Sequence, residues 1–353
     1  MDMIDLGLDK WLEDHAGEFC GSEYSVARVI AVDRGQYTIK NEVGESHAIL
    51  KGKFFHTAES AVDFPCVGDW VCVEYHDDEN AASIHNVFPR KSFLRRKIAG
   101  RDVEYQMIAA NIDVALVVLS CHFDFNIRRL ERYLVVVNDG CIEPVILLTK
   151  TDLISPDELE QLIAEIRNAG IGTEIIALSN VTGVGVEQVK SIMSPRKTYC
   201  LLGSSGVGKT TLINRLVGNT ELATKAVSES GEGRHTTTRR HLIMLEQGAM
   251  LIDMPGMREL GVLSAGKGLD DSFSDVVALS EQCHFSDCGH NNEPRCAILA
   301  AIESGELDQK HYQSYLKLKQ ESEFNEMSYA EKRKKDKNFG QLIRKTIKHK
   351  NRH

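Results

Sequence analysis

The stretch GSSGVGKTT contains the residue types that bind phosphate groups in nucleotide-dependent proteins. In such a loop, glycines let backbone amides converge on phosphate oxygens, a lysine neutralises the β- and γ-phosphates, and the next hydroxyl binds Mg²⁺. The loop follows an apolar strand pattern and opens a helix, which is the context that this motif requires. We therefore predict a nucleotide site formed by Gly203, Ser204, Ser205, Gly206, Val207, Gly208, Lys209, Thr210 and Thr211, with Thr210 as a magnesium ligand.

A second motif, TKTD, comprises Thr149, Lys150, Thr151 and Asp152 and precedes the phosphate loop. An aspartate at the end of a strand can accept hydrogen bonds from both N–H donors of guanine, which adenine does not offer in that arrangement. On its own, TKTD is usually a plain loop with a helix cap. The segment ALSN, residues Ala177–Asn180, ends the next strand and favours a guanine pocket.

A third motif, LIDMPG, places Asp253 at the end of an apolar strand, where its carboxylate can hold Mg²⁺ through water. The Gly256 amide is then placed to contact the γ-phosphate. Between this motif and the phosphate loop lies the polar segment GEGRHTTTRRH, in which Thr237, rather than Thr236 or Thr238, is our predicted magnesium ligand. The alternative is an ordinary polar linker.

Four potential metal ligands crowd into CHFSDCGHNNEPRC. Three thiolates and one imidazole suit tetrahedral Zn²⁺, and a site with all four positions filled by protein is structural rather than catalytic. Isolated buried cysteines are the alternative, but the segment contains little apolar sequence. His284 competes as the imidazole, although its adjacency to Cys283 makes a shared chelate awkward. The predicted zinc ligands are Cys283, Cys288, His290 and Cys296.

The order of these motifs indicates a circular permutation. From Asp113 onward, strand and helix patterns alternate, which predicts a mostly parallel sheet covered on both faces. The guanine motif precedes the phosphate loop, whereas in ordinary GTPases it follows. A GTPase sheet opened before DVALVVLS and rejoined across SIMSPRKTYCLLG gives this order, and permutation requires only that the old termini be neighbours.

The remaining regions complete a multidomain α/β organisation. Residues 25–89 contain five short strand patterns separated by turn residues, which predicts a small β-barrel of the OB type, with an SH3-like barrel as the alternative. Residues 1–24 look like a short helical or loose extension. The predicted domains are the extension 1–24, the OB-like barrel 25–100, the circularly permuted GTPase domain 101–264, and a helical zinc-binding domain with a basic tail, 265–353.

Charge and cysteine usage set limits on location and partners. The net charge is −9, yet residues 331–353 carry ten Lys/Arg against two acidic residues, and Arg90–Arg101 carries six Lys/Arg and no acid. Both runs can be plain solvated surface, but on an acidic protein they favour an anionic partner such as nucleic acid. The scattered cysteines predict a reduced, cytoplasmic protein. We expect no signal peptide and no membrane span, because no apolar run is long enough.

Taken together, GSSGVGKTT, GRHTTT and DMPG resemble the circularly permuted, ribosome small-subunit-dependent GTPases of bacteria. The resemblance covers about residue 25 to the end. It implies an OB barrel, a permuted GTPase domain and a zinc domain that act together in late maturation of the small (30S) ribosomal subunit, with subunit rRNA, GTP and GDP as partners. The expected protein is a monomer. Thr149 departs from the commoner Asn, which puts base affinity in question.

The sequence also bears on catalysis. Met257 follows Gly256 where many GTPases have a Gln that orients the attacking water, so we expect slow intrinsic turnover and stimulation by a partner. His235 is the candidate catalytic residue that orients water, a role that the resemblance supports. The alternative is that His235 packs under the switch loop. Two other classes stay open: an ATPase or small-molecule kinase, and an RNA-binding protein with a vestigial nucleotide site.

Overall fold

The computed structural model describes residues 2–21, 23–33, 35–52, 54, 58–76, 81–97, 105–123, 125–218, 240–254, 266–327 and 331. Several predicted site residues lie outside these ranges, namely His235, Thr237, Gly256 and the basic tail after residue 331. Among the described residues, no helix is long and apolar enough to cross a membrane.

Five strands near the N-terminus close into a barrel. Strand β1 pairs with β2, β2 with β3, β3 with β5, β5 with β4, and β4 returns to β1. The β3–β5 pair is parallel and the others are antiparallel, which is the OB arrangement and confirms the predicted fold. Alternate side chains fill the interior, including Val29, Ile39 and Val71. The strands are β1 Ser25–Asp33, β2 Gln36–Lys40, β3 Glu45–Leu50, β4 Trp70–Tyr75 and β5 Ala81–Val87.

The N-terminal extension packs against this barrel. Helix α1, Lys10–Cys20, is capped at its N-terminus by Asp9, whose side chain accepts a hydrogen bond from the Leu12 amide at 2.9 Å. Leu12 is buried in one apolar cluster with Trp70 of the barrel. At the end of α1, Cys20 forms a disulfide with Cys72 of β4. The prediction that the scattered cysteines are all reduced is therefore wrong for this pair, because packing of α1 on the barrel brings together two residues 52 positions apart.

A hairpin that the sequence did not predict follows the barrel. It comprises β6, Phe93–Lys97, and β7, Tyr105–Ala110. The predicted domain boundary after residue 100 falls in the connection between these strands, outside the described residues, and stays a prediction.

Several cations of the basic run Arg90–Arg101 bind other residues of the same protein. Arg90 donates to the buried carboxylate of Asp69 at 2.8 Å, and Arg95 contacts Asp139 at 3.2 Å. Lys97 donates to Asn325. Arg90, Arg95 and Lys97 therefore bind other residues of the same protein. The sequence analysis considered only a solvated surface and an anionic partner for this run.

The central sheet has the strand order β10-β9-β8-β11-β13-β12. All neighbours are parallel except β12, which is antiparallel to β13, so the predicted mostly parallel sheet is confirmed. Strand β12 also pairs with β1, which makes the barrel and the sheet continuous. The strands are β8 Val114–Ser120, β9 Glu143–Thr149, β10 Ile175–Ala177, β11 Thr198–Leu202, β12 Arg240–Met244 and β13 Met250–Asp253.

Helices cover both faces of the sheet. Apolar residues of α4 and α5 pack on one face, and those of α2 and α3 pack on the other together with the C-terminal helices. At the start of α3, Ser155 and Glu158 form a reciprocal capping box, with Pro156 in the first turn. The helices are α2 Ile127–Asp139, α3 Pro156–Asn168, α4 Val186–Ile192 and α5 Lys209–Val217.

The C-terminal helices are α6 Gly266–Ser272, α7 Ser274–Ser280, α8 Ala297–Ser304 and α9 Gln309–Glu326. Of these four, α6 and α9 pack against α2, and α7 packs against α6 and α8. At Gly268 the backbones of α6 and α2 nearly touch, since an added Cβ would lie 2.4 Å from the Asp139 amide nitrogen and 2.5 Å from the Val135 carbonyl oxygen. The C-terminal region is thus fixed to the same helix that flanks the phosphate loop.

Candidate nucleotide site and metal cluster

The phosphate loop joins β11 to α5 in a backbone conformation that depends on glycine. Gly203, Gly206 and Gly208 have φ of 148°, 83° and 100°. A Cβ at Gly203 would lie 2.3 Å from the carbonyl oxygen of Val118, so a side chain has no room there. These glycines therefore let the loop turn tightly over the end of β8.

Lys209 holds the loop from inside. Its ammonium donates to the carbonyl oxygens of Gly203 at 2.6 Å and Ser204 at 2.5 Å. The loop residues Ser205 and Gly206 are exposed, as are Thr210 and Thr211 at the start of α5. Val207 is buried in the core of the sheet. This arrangement leaves an exposed, cation-bearing loop at a helix N-terminus, which is the setting that binds phosphate.

Thr149 connects the predicted guanine reader to the phosphate loop. Its fully buried hydroxyl oxygen lies 2.6 Å from the Val207 carbonyl oxygen and 3.0 Å from that of Leu119. Because a hydroxyl has one proton, it donates to one of these carbonyls at a time. Thr149 thus binds the loop across 58 residues of sequence, and the next residue, Lys150, lies in the left-handed region at φ 62°.

Asp152 lies exposed in the 3₁₀ turn that follows β9. One carboxylate oxygen accepts a hydrogen bond from the Ser179 hydroxyl, which itself accepts from the backbone amides of Val181 and Thr182, each at 3.1 Å. Ser179 therefore orients the carboxylate while the carboxylate edge stays accessible to a base. The sequence analysis predicted that the ALSN segment lies at the guanine pocket, but it did not predict that Ser179 orients the Asp152 carboxylate.

Asn180 makes a second connection between the two motifs. Its side-chain nitrogen donates to the Gly208 carbonyl at 3.1 Å, and its side-chain oxygen is buried without a hydrogen-bond partner among the described residues. The structure thus brings TKTD, ALSN and the phosphate loop into a single site.

The predicted magnesium ligands are described only in part. Asp253 ends β13, where burial raises the pKa of its carboxyl group and the nearby Lys209 charge opposes that rise. Thr210 is exposed at the start of α5. Thr237 lies outside the described residues, as does the predicted catalytic His235.

The four predicted zinc ligands form one cluster, with ligand atoms all within 4.8 Å of one another. The His290 Nδ1 atom lies 3.5 Å from the Cys283 sulfur and 3.4 Å from the Cys296 sulfur, and these two sulfurs are 3.9 Å apart. A tetrahedral Zn²⁺ with Zn–S near 2.3 Å and Zn–N near 2.0 Å needs edges of about 3.8 Å and about 3.5 Å. The donor set and spacing fit this ion, and His284 is not part of the cluster.

Comparisons with known proteins agree with this geometry. The family model for RsgA GTPase matches residues 87–263. Small ribosomal subunit biogenesis GTPase RsgA 2 of Lactiplantibacillus plantarum is 41% identical over 300 residues, covering 85% of this chain and 84% of its own length. The protein of the same name from Vibrio parahaemolyticus is 38% identical over 325 residues, covering 91% and 86%.

Two solved structures share the fold. YjeQ from Thermotoga maritima has a TM-score of 0.63 at 25% identity and covers 84% of this chain and 97% of its own. YloQ, described as a circularly permuted GTPase, has a TM-score of 0.60 at 25% identity, with coverages of 84% and 94%. The predicted permuted order of motifs is therefore found in a protein of similar fold.

Proposed function

Because the chain belongs to the RsgA GTPase family, we propose that it hydrolyses GTP to GDP and phosphate during biogenesis of the small ribosomal subunit. The observation that carries this proposal is the joining of the guanine motif to the phosphate loop through the buried Thr149 hydroxyl and the Asn180 amide. A protein that bound phosphate alone would not need this connection. Action on ribosomal subunits places the protein in the cytoplasm.

The predicted site residues have separate roles in this proposal. Asp152 accepts both guanine N–H donors, and Ser179 fixes the orientation of its carboxylate. Lys209 neutralises phosphate charge from a position set by two loop carbonyls. Bound Mg²⁺ would neutralise the β- and γ-phosphates, and Thr210, Thr237 and, through water, Asp253 would hold it. His235 orients the attacking water.

The metal cluster takes one structural Zn²⁺. Its four ligands are all supplied by the protein, which leaves no open position for substrate. The ion holds together a segment between α7 and α8 that is mostly exposed.

The basic tail beyond residue 331 contacts rRNA phosphates and keeps the GTP form on the subunit until hydrolysis releases it. Its charge is the support for this assignment, because ten of its residues are Lys or Arg. Truncation after Ala330 should weaken binding to the subunit and make the remaining binding less dependent on salt concentration. The affinity for GTP should stay unchanged. An unchanged salt slope in the truncated protein would shift the RNA contact to the barrel.

The test is GTP hydrolysis by the full chain with and without purified small subunits, compared with ATP hydrolysis. We expect slow turnover alone and a rise of at least about 10-fold with subunits, because a partner must complete the site. Asp152→Asn should weaken GTP binding and favour xanthosine triphosphate, whose 2-oxo group accepts from the new amide. Lys209→Ala is the inactive control. Equal competition by GTP and ATP for the unmodified protein would refute the guanine assignment.

A further inference from the structure

Helix α2 lies between the phosphate loop and the C-terminal helices, and its polar residues divide between these two neighbours. Arg129 donates from a guanidinium nitrogen to the Ser204 hydroxyl oxygen at 2.7 Å. Ser204 is the second residue of the phosphate loop and lies 75 positions away in sequence. Nothing in the spacing of the motifs pointed to this arginine.

The residues on the adjacent face of α2 bind the C-terminal region instead. Arg132 forms a two-pronged ion pair with Glu321 of α9, with one N–O distance of 2.7 Å. Glu131 accepts from His311 at 2.9 Å and from the Ser314 hydroxyl at 2.5 Å. Residues three and four apart are neighbours on a helix surface, so residues 128, 131 and 132 lie together and Arg129 lies at the edge of this group, beside Arg132. The two arginines nevertheless reach different partners, since Arg129 contacts Ser204 and Arg132 contacts Glu321. One helix therefore presents one arginine to the loop and others to the C-terminal region.

Ser204 is held from two sides by two cations. Its side chain accepts from Arg129, and its backbone carbonyl accepts from the Lys209 ammonium at 2.5 Å. The Ser204 carbonyl oxygen is one of the two hydrogen-bond acceptors that hold the Lys209 ammonium in place, so the position of Ser204 affects the position of that charge. If Arg129 were lost, that acceptor would be held less firmly, and the ammonium would be less well placed for a phosphate.

We propose that Arg129 is a positioning residue that fixes the phosphate loop through Ser204 and so sets the place of Lys209 for GTP binding and hydrolysis. The inference rests on the proposed GTPase function. Arg129 acts through Ser204 and not on the substrate, so it is not a catalytic residue. Helix α2 also packs against the C-terminal helices α6 and α9. The Arg129–Ser204 hydrogen bond therefore connects the phosphate loop to the same helix that contacts the C-terminal region.

The experiment is a double-mutant cycle in the full-length protein. Arg129→Ala, Ser204→Ala and the double variant are compared for kcat/KM with GTP and for Kd with a fluorescent GTP analogue. Hydrogen bonds to charged groups contribute about 1.5–3 kcal/mol, which corresponds to a loss of about 10-fold or more in either single variant. The double variant should lose no more than the worse single variant. Arg129→Lys, which keeps the charge and a donor, should recover part of the loss.

Arg132→Ala is the matched control, since it removes the same side chain from the same helix but breaks a contact with α9. It should stay within about 2-fold of the unmodified protein in kcat/KM. Losses that add in the double variant, or an Arg129→Ala variant that behaves like Arg132→Ala, would overturn the inference. If Arg129→Ala fails to fold, Arg129→Gln enters the same cycle. Failure of the unmodified protein to bind GTP would instead overturn the proposed function.

Discussion

The nucleotide site and the metal cluster lie in one chain but are assembled in opposite ways. Contacts in the nucleotide site join Thr149 to the loop over 58 residues, Asp152 to Ser179 over 27, and Asn180 to Gly208 over 28. The metal cluster draws all four ligands from residues 283–296. The first arrangement requires a finished sheet, whereas the second requires little beyond a short loop and an ion.

The surroundings of the two sites explain why each arrangement is stable. The strands that end at the nucleotide site are buried along almost their whole length, so the sheet positions the loops even without a ligand. Between α7 and α8, most residues are exposed and Cys296 alone is buried. Burial of apolar surface contributes little to such a segment, so we infer that its structure depends on the metal that we propose for the cluster. This difference predicts how each region responds when its key residue is removed.

The largest expected effect is at the metal cluster. Cys288→Ser should reduce bound zinc from about one ion per chain to nearly none, because a structural site needs its full ligand set. Residues between α7 and α8 should lose protection from hydrogen exchange, while GTP affinity stays within about 3-fold, since the sheet does not depend on the ion. Elemental analysis and hydrogen exchange measure these outcomes.

The matched control for this variant is His284→Ala, which removes an exposed imidazole outside the cluster. It should keep the zinc and the protection. If the Cys288→Ser protein lost its metal but kept full protection between α7 and α8, the segment would not depend on the ion, and the contrast between the two sites would fail.

The contrast also explains what the sequence could predict. The phosphate loop and the cysteine cluster were found because their requirements are local: glycines at tight turns, and ligands within a few residues of one another. The strand and helix patterns predicted the parallel sheet and a small barrel, with the OB type favoured over an SH3-like one. These features are encoded over short stretches of chain, where spacing and residue type are enough.

Contacts between distant residues left no such signal. Arg129 at Ser204, the Cys20–Cys72 disulfide and the buried Glu131–His311 pair each join residues at least 52 positions apart. Each partner on its own looks like an ordinary helix or strand residue. Only the packing of α1 on the barrel, of α2 beside the phosphate loop, and of the C-terminal helices on α2 makes them neighbours.

The second prediction tests whether the metal alone holds the C-terminal region. His311 is buried between Glu131 of α2 and Asp275 of α7, with Phe273 stacked on its ring. His311→Ala should lower the free energy of unfolding by about 3 kcal/mol, because it leaves the buried Glu131 carboxylate with fewer partners. Bound zinc should stay unchanged. Thermal unfolding followed together with metal content separates this loss from the loss in Cys288→Ser.

The same histidine gives this stabilisation a pH dependence. Burial lowers the pKa of His311, but hydrogen bonds to Asp275 and Glu131 outweigh it and raise the pKa to about 9. The other charge in this group is Arg128, which pairs with Glu131 at 2.6 Å. The stabilisation is fully present below about pH 6.5, where His is protonated in the unfolded chain too, and is lost as pH rises towards 9. Equal pH slopes for the unmodified and His311→Ala proteins would contradict this.

The third prediction compares the metal cluster with a covalent crosslink. The disulfide between Cys20 and Cys72 joins α1 to the barrel across 52 residues. Cys20→Ser should destabilise the protein by about 2 kcal/mol, at the lower end of the usual range because α1 also packs through apolar contacts. Added reductant should lower the melting temperature of the unmodified protein and leave that of the variant unchanged. Cys141→Ser, at an exposed free cysteine, is the control.

The smallest expected effect belongs to the hydroxyl that connects the two nucleotide motifs. Thr149→Val keeps the shape of the side chain but removes the donor to the Val207 carbonyl, leaving a buried acceptor with one partner fewer. A neutral hydrogen bond contributes about 1 kcal/mol, so GTP affinity should fall about 5-fold. Thr149→Ser, which keeps the hydroxyl, should bind GTP like the unmodified protein.

Zinc content should be identical in all three proteins, since Thr149 and the cluster share no contact. Equal GTP affinity of the valine and threonine proteins would mean that the sheet alone positions the phosphate loop. The nucleotide site would then depend on the packing of the sheet and would not need the hydrogen bond between Thr149 and the phosphate loop. The two sites would then differ even more in how they are assembled than we infer.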